Sequence, residues 1–310
     1  MKEKTTKQHK TNDNLNSKHN LLFRMSYTYL EDNQDENGAV YEWKHTSMKH
    51  SIQTHRGTKV EMVHRPGWGV SCFMDGVIQS CEKDEYLYHE SLVHPVMASA
   101  QSRKRVMIMG GGEGATAREV LRWPDVETVD MYEWDKDVVQ LFQTNYPQWA
   151  KGAWGDPRLR IHYQDIFDAI RHTPTEEQRY DIILIDLFDP TNDNILSWYD
   201  LFMKLDKWIH KTGSIVVYTG IRNILQSQQP YEKIISMLEY HDTWQDMKVK
   251  LIPLQMSYTP YKVFIPSFMG EATFLLLQPS TNVSNPTFDK KIVSSHVTNE
   301  IWKSYQTWNW

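Results

Sequence analysis

The chain has 310 residues, 24% of them charged, and a formal net charge of −5 at pH 7. That length buries a full core in one large domain or in a large and a small one, and the acidic balance excludes a nucleic-acid-binding surface. Cys72 and Cys81 are its only cysteines, so neither a disulfide framework nor the C-x2-C spacing of a zinc site is present. No apolar run reaches the ~18 residues of a membrane span. The polar opening MKEKTTKQHKTNDNLNSKHN lacks the apolar centre of a signal peptide, so residues 1–20 are expected to be a disordered leader on a cytoplasmic protein.

Residues 21–83 read as a small antiparallel β-domain. TKVEMVHR and GVSCFMDGVIQS alternate or cluster apolar residues between the turn signals RPGWG and DG. EKDEYLYHESLVHPVMASA then has helical spacing from a polar start at Asp84, with Leu87, Leu92 and Val96 among its apolar positions. From about residue 104 strands and helices alternate. RVMIMG predicts a strand and EGATAREVLRW a helix; TVDMYEW, DKDVVQLFQTNY and RLRIHYQ predict strand, helix and strand. YDIILID is almost wholly apolar, as a strand covered on both faces must be. ILSWYDLFMKLDKWIH predicts a helix, GSIVVYTG a strand and YEKIISMLEY a helix, while VKLIPLQM and ATFLLLQ are closing strands. FDKKIVSSHVTNEIWKSYQTWNW is expected to be a helical tail on a domain spanning 84–310. The pattern is doubly wound α/β, a fold whose ligands sit beyond the carboxyl ends of the strands.

Acidic residues stand at four of those ends. The first strand runs into Gly110, Gly111, Gly112, Glu113 and Gly114, and the second ends at Glu133, where a carboxylate can accept both ribose hydroxyl hydrogens. The third ends at Asp165, placed to read an adenine amino group, and the fourth presents Asp186 and Asp189 in DLFDP. Any one of them reads first as a solvated acid or a helix cap; four on successive strands mark a nucleoside site. Glu113 is the unusual member. A pyrophosphate or the carboxylate of S-adenosylmethionine would be repelled there, whereas a bare ammonium would be attracted by roughly 1–4 kcal/mol, depending on screening. Decarboxylated S-adenosylmethionine is such a ligand.

DGVIQSCEKDEYLYHESLVHPVM, MGGGEGATAREVL, YDIILIDLFDP and VFIPSFMGEATFLLL resemble the polyamine aminopropyltransferases, the spermidine synthase family, over roughly residues 58–278. GGGEG, YHESLVHP and DLFDP are most similar to its thermospermine synthase branch. The resemblance implies a small N-terminal β-domain beside a Rossmann-like, methyltransferase-type domain, and a homodimer or homotetramer built through the β-domain. It implies decarboxylated S-adenosylmethionine as co-substrate, a polyamine as acceptor, and neither a resident cofactor nor a metal. In the roles it implies, Glu133 holds the ribose, Asp165 the adenine and Glu113 the donor's ammonium. Gln79 and His89 line the donor site, and Tyr88 the reacting centre. Asp186 orients and deprotonates the attacking amine, Asp189 assists, and Tyr261 closes the acceptor channel.

Three segments depart from the family pattern, the first at a pair that contacts the donor in the family and the other two on the acceptor side. Gly57-Thr58 stand where a Tyr-Gln pair is usual, Thr219-Gly220-Ile221 replace a glutamine-alanine-glycine turn, and Trp198 and Tyr199 fall in a rewritten segment after DLFDP. His89 and His94, five apart, do not share a helix face, so they predict no metal site. Tyr86 and Tyr88 read equally as packing residues from spacing alone. Trp198, Tyr199, Phe202 and Trp208 read as core, and Arg118 and Lys136 as solvated helix faces. The alternatives are a methyltransferase of a small amine, which Glu113 opposes, and a binding subunit without catalysis, which the retention of Asp186 and Asp189 opposes.

Overall fold

A computed structural model describes residues 27–32, 40–222, 229–239, 256–293 and 296–307. The expected leader and VKLIPLQM up to Met256 lie outside the described residues. β1 (Tyr27–Asp32), β2 (Val40–Gln53), β3 (Lys59–Arg65), β4 (Gly69–Met74) and β5 (Val77–Cys81) pair in that order, all antiparallel. The DG signal is the β4–β5 hairpin turn, with Asp75 and Gly76 both at positive φ (49° and 86°), as a two-residue turn between twisted strands requires.

After α1 (Glu85–Ser99) come β6 (Arg105–Gly110), α2 (Ala115–Leu121), β7 (Thr128–Tyr132), α3 (Lys136–Asn145), β8 (Leu159–His162), α4 (Ile166–Ala169), β9 (Tyr180–Asp186), α5 (Ile195–Trp208), β10 (Ile209–Arg222), α6 (Pro230–Glu239), β11 (Met256–Ile265), β12 (Gly270–Pro279) and α7 (Asn299–Tyr305). The second sheet has the order β11-β12-β10-β9-β6-β7-β8. Its five central and edge strands from β10 to β8 are parallel, while β12 and β11 are antiparallel additions. The chain leaves β6 toward β7 and returns on the other side as β9, so a crevice opens beyond the ends of β6 and β9. Gly110 and Asp186 are direct partners there.

Alternation along the central strands divides the core. Val106, Ile108, Ile182, Leu184 and Val216 face the layer of α1 and α2, and Met107, Met109, Ile183, Ile185 and Val217 face α5. Trp198, Phe202 and Trp208 are buried in that second layer, as their spacing predicts. The tail differs from expectation: among its described residues only Asn299–Tyr305 is helical, and Phe288, Val293 and Val297 pack into the first layer outside any helix. Among the described residues no helix is long and apolar enough to cross a membrane.

Arg118 is not a solvated helix residue. It is 6% exposed, because α1 lies across α2 and brings Glu85 onto it; a helix read alone does not show which polar face a second helix will cover. Pro95 inside α1 has no N–H to give the carbonyl of Ser91, four residues back. The hydroxyl of Tyr261 on β11 donates to that oxygen instead, at 2.9 Å. Tyr261 is fully buried, its ring stacked on Phe274 and edge-on to Trp302. Tyr261→Phe therefore strands a buried carbonyl. Chemical denaturation is expected to show a loss of about 1–2 kcal/mol.

Candidate active site

Gly114 takes a left-handed φ of 81°, so α2 starts at Ala115 and Glu113 is left in the turn after β6. Two glycines in that turn are required by neighbours. At Gly110 (φ 90°) a Cβ would sit 2.0 Å from the carbonyl oxygen of Asp186, and at Gly112 it would sit 3.0 Å from the carboxylate of Glu133. The missing side chains let β9 and β7 close on the turn.

Glu113 is not a bare carboxylate. Its Oε1 lies 2.5 Å from His89 Nε2, and His89 Nδ1 faces the Glu85 carbonyl at 2.7 Å and Glu85 Oε2 at 2.9 Å. Burial by itself would push the His89 imidazole down, but Glu113 and Glu85 outweigh it and raise the ring to about 10. Glu85 in turn receives both Arg118 terminal nitrogens at 2.9 Å. Burial acts to raise Glu85, yet His89 and Arg118 hold it below the usual carboxylate range. The His89–Glu113 pair is formally neutral, which corrects the sequence expectation of an uncompensated charge awaiting an ammonium.

At the ribose edge Glu133 is 9% exposed and accepts the Asp135 N–H at 2.9 Å. Burial, then the nearby charges of Asp135 and Asp186, raise its carboxyl to about 7 against weaker opposition from backbone donors. Asp165 is half-buried and accepts the Phe167 N–H at 2.8 Å, so it is the cap of α4 as well as a residue of the strand end. The β2–β3 turn reaches over this edge. His55 donates its backbone N–H to Asp137 at 2.8 Å, and Arg56 donates to the Trp134 carbonyl while lying over the Trp134 ring. His55, Asp135 and Asp137 bring one potential ligand atom each within 4.8 Å of one another. Asp135 and Asp137 already serve the N-terminus of α3 and His55, and a helix N-terminus disfavours a cation.

On the amine side the compensating groups are hydroxyls. Tyr88 donates to Asp186 Oδ1 at 2.6 Å, and Thr116 donates to Oδ2 at 2.8 Å. Asp189 is half-buried, and that burial raises its carboxyl despite a hydrogen bond from Tyr218 and one from the Ile221 N–H. Tyr218, Phe268 and Phe274 surround the Tyr88 ring with centroids 5.3, 6.1 and 5.4 Å away. Phe268 and Ile265 line a narrow cleft with Gln79, Glu85, Tyr88 and His89. Gln79 is exposed and donates to the Val77 carbonyl at 3.3 Å. Tyr261, expected at the acceptor channel, lies in the core beneath α1. Glu85, Thr116 and Phe268 fall inside the segments that carry the family resemblance but have no role assigned there, and Tyr218 lies outside them. Thr116 could have been found from its place in the first turn after GGGEG.

Comparison with known proteins converges on the same segments. The chain matches the spermine/spermidine synthase domain over residues 85–286. It is 31% identical over 234 residues to polyamine aminopropyltransferase 1 of Hyperthermus butylicus, covering 73% of this chain and 74% of the relative. It is 32% identical over 265 residues to polyamine aminopropyltransferase 2 of Caldanaerobacter subterraneus, covering 85% and 82%. In fold it is similar to spermidine synthase from Thermotoga maritima, with a TM-score of 0.72, 21% identity and 91% of each chain covered. A spermidine synthase in complex with the transition-state analogue AdoDATO superposes with a TM-score of 0.73 at 22% identity, covering 92% of this chain and 93% of that one. The matched domain takes in α1, the glycine turn and both β9 aspartates, and the chain belongs to the spermine/spermidine synthase family, the polyamine aminopropyltransferases.

Proposed function

We propose that this aminopropyltransferase moves the aminopropyl group of decarboxylated S-adenosylmethionine to a polyamine, spermidine being the favoured acceptor, and releases methylthioadenosine. The observation that carries this reading is the pair Asp186 and Asp189 at the end of β9, held by hydroxyl and backbone donors and by no cationic side chain among the described residues. Their negative charge is left for a cationic amine. Glu133 and Asp165 take the nucleoside, Glu113 the donor's ammonium through the oxygen turned from His89, and Gln79 the cleft beside Tyr88.

A protonated amine has no lone pair, so the first event is transfer of its proton to the aspartate pair. Asp186, whose two oxygens are fixed by Tyr88 and Thr116, orients the nitrogen and takes the proton. Asp189, raised by burial, shares it. The free amine attacks the aminopropyl carbon bonded to sulfur; the C–N bond forms as the C–S bond breaks, and the electron pair neutralises the sulfonium. The leaving group is already activated, so rate comes from in-line positioning.

Mass spectrometry of reactions with decarboxylated S-adenosylmethionine and putrescine, spermidine and longer amines tests the reading. Methylthioadenosine with an amine lengthened by one aminopropyl unit is expected; no product from any amine overturns it. Asp186→Asn is expected to lower kcat by about 10²–10⁴-fold with donor affinity retained. Because Glu113 is already paired, its discrimination is local: Glu113→Gln should reduce the preference for the decarboxylated donor over S-adenosylmethionine by about tenfold, near 1.4 kcal/mol, in competitive binding. Glu133 must be ionised to accept both ribose hydroxyls, and its carboxyl is raised to about 7. Donor KM is therefore expected to climb as pH falls through that value, and a KM flat down to pH 5 would count against this role.

A further inference from the structure

His89 sits between two carboxylates, and both ring nitrogens face acceptors alone. Nδ1 meets the Glu85 carbonyl at 2.7 Å and Glu85 Oε2 at 2.9 Å, and Nε2 meets Glu113 Oε1 at 2.5 Å. With both carboxylates ionised each contact takes an N–H, so the geometry favours the doubly protonated ring. A neutral ring would turn one nitrogen lone pair onto a carboxylate oxygen. The side chain is 3% exposed, where an imidazolium persists only with close anionic partners. Among the described residues, the titratable groups facing the ring are Glu85 and Tyr88 on its own helix and Glu113 from the β6–α2 turn. Behind them stand Arg118 of α2 on Glu85 and Cys72 of β4 beside Glu113.

Glu85 cannot rotate freely. Arg118 holds both of its oxygens at 2.9 Å, and Arg118 is itself anchored by Glu119 Oε1 at 2.7 Å and by the Trp149 carbonyl. A buried ionic chain of this kind is a poor route to stability, since well-packed apolar residues serve as well. Its free end, however, is a carboxylate in the donor pocket. The geometry points to Glu85 and Arg118 as positioning residues for the donor: acting through His89, they fix the Glu113 carboxylate in the orientation that receives the aminopropyl ammonium. Neither touches the donor. The inference rests on the assignment of Glu113 to the donor's ammonium.

The test is Glu85→Gln, which keeps a hydrogen-bond acceptor and removes the charge, with Glu85→Asp as the conservative partner. In the wild-type enzyme the His89 side-chain ¹⁵N resonances are expected to stay those of an imidazolium from pH 6 to 9. In Glu85→Gln they should titrate within that range, and the ratio of variant to wild-type donor KM should grow from about twofold at pH 6 to about tenfold at pH 9. The ratio cancels the titration of Glu133. Acceptor KM should be unchanged, and Glu85→Asp should restore most of the donor KM. A folded Glu85→Gln that keeps the wild-type His89 spectrum and a donor KM ratio constant with pH overturns the proposal. So does a parallel fall of kcat and both KM values tracking lost stability. Should Glu85→Gln not fold, Arg118→Lys keeps the charge and loses the double grip; a donor KM raised several-fold without a pH trend supports the proposal, and an unchanged donor KM overturns it. Failure of the wild-type enzyme to use any amine would sink the proposed reaction while leaving the His89 titration to be read on its own.

Discussion

Carboxylates gathered at one end of a sheet repel one another, and the structure is organised around that repulsion. Glu85, Glu113, Glu133, Asp135, Asp186 and Asp189 all come to the ends of β6, β7 and β9 or to the helix above them. The donor side answers with cations: His89 and Arg118 alternate with Glu113, Glu85 and Glu119 in one buried chain. The ribose edge answers with burial, which drives Glu133 toward its protonated form. The amine side answers with hydroxyls from Tyr88, Thr116 and Tyr218, which stabilise charge by hydrogen bonding and leave its sign intact. Negative charge is thus oriented and left unneutralised at Asp186 and Asp189, the pair proposed to receive the amine.

The scaffold makes this crowding sustainable. Reversal of the strand order between the parallel neighbours β6 and β9 puts the glycine turn directly against Asp186, with no room for a Cβ at Gly110. α1 carries Glu85, Tyr88 and His89 across that crevice, although it contains a proline. The carbonyl that Pro95 leaves without a partner is taken up by Tyr261 from the antiparallel addition to the sheet. The outer strands and the tail packed beneath them therefore support the helix that meets the substrates.

The strand order was legible because fully buried parallel strands write themselves as apolar runs. YDIILID is β9 residue for residue, and RVMIMG is β6. Glycine and carboxylate positions at strand ends were legible for the same reason: the alternation stops there. What the sequence could not show was which polar side chains would meet across elements. Arg118 has the spacing of a solvated face until α1 is laid on it. Glu85 reads as an ordinary first-turn acid, and Tyr218 as one more apolar position in GSIVVYTG. The family resemblance implied an acceptor-channel role for Tyr261, yet its side chain is fully buried in the core layer. Glu113 was read correctly as unusual but not as paired, since its partner lies 24 positions earlier on another helix.

Tyr88 and His89 are consecutive on α1, and one reaches Asp186 while the other reaches Glu113. A single turn of helix therefore touches the carboxylates assigned to both reactants. Substitutions there are coupled, and a mutational route to a new amine that altered α1 would disturb capture of the nucleoside at the same step. Ground that α1 does not share lies in α5, which carries Tyr199, and near the end of β10 at Thr219–Ile221. The helix thus ties the two carboxylates together, and a change confined to one of them has to come from elements outside it.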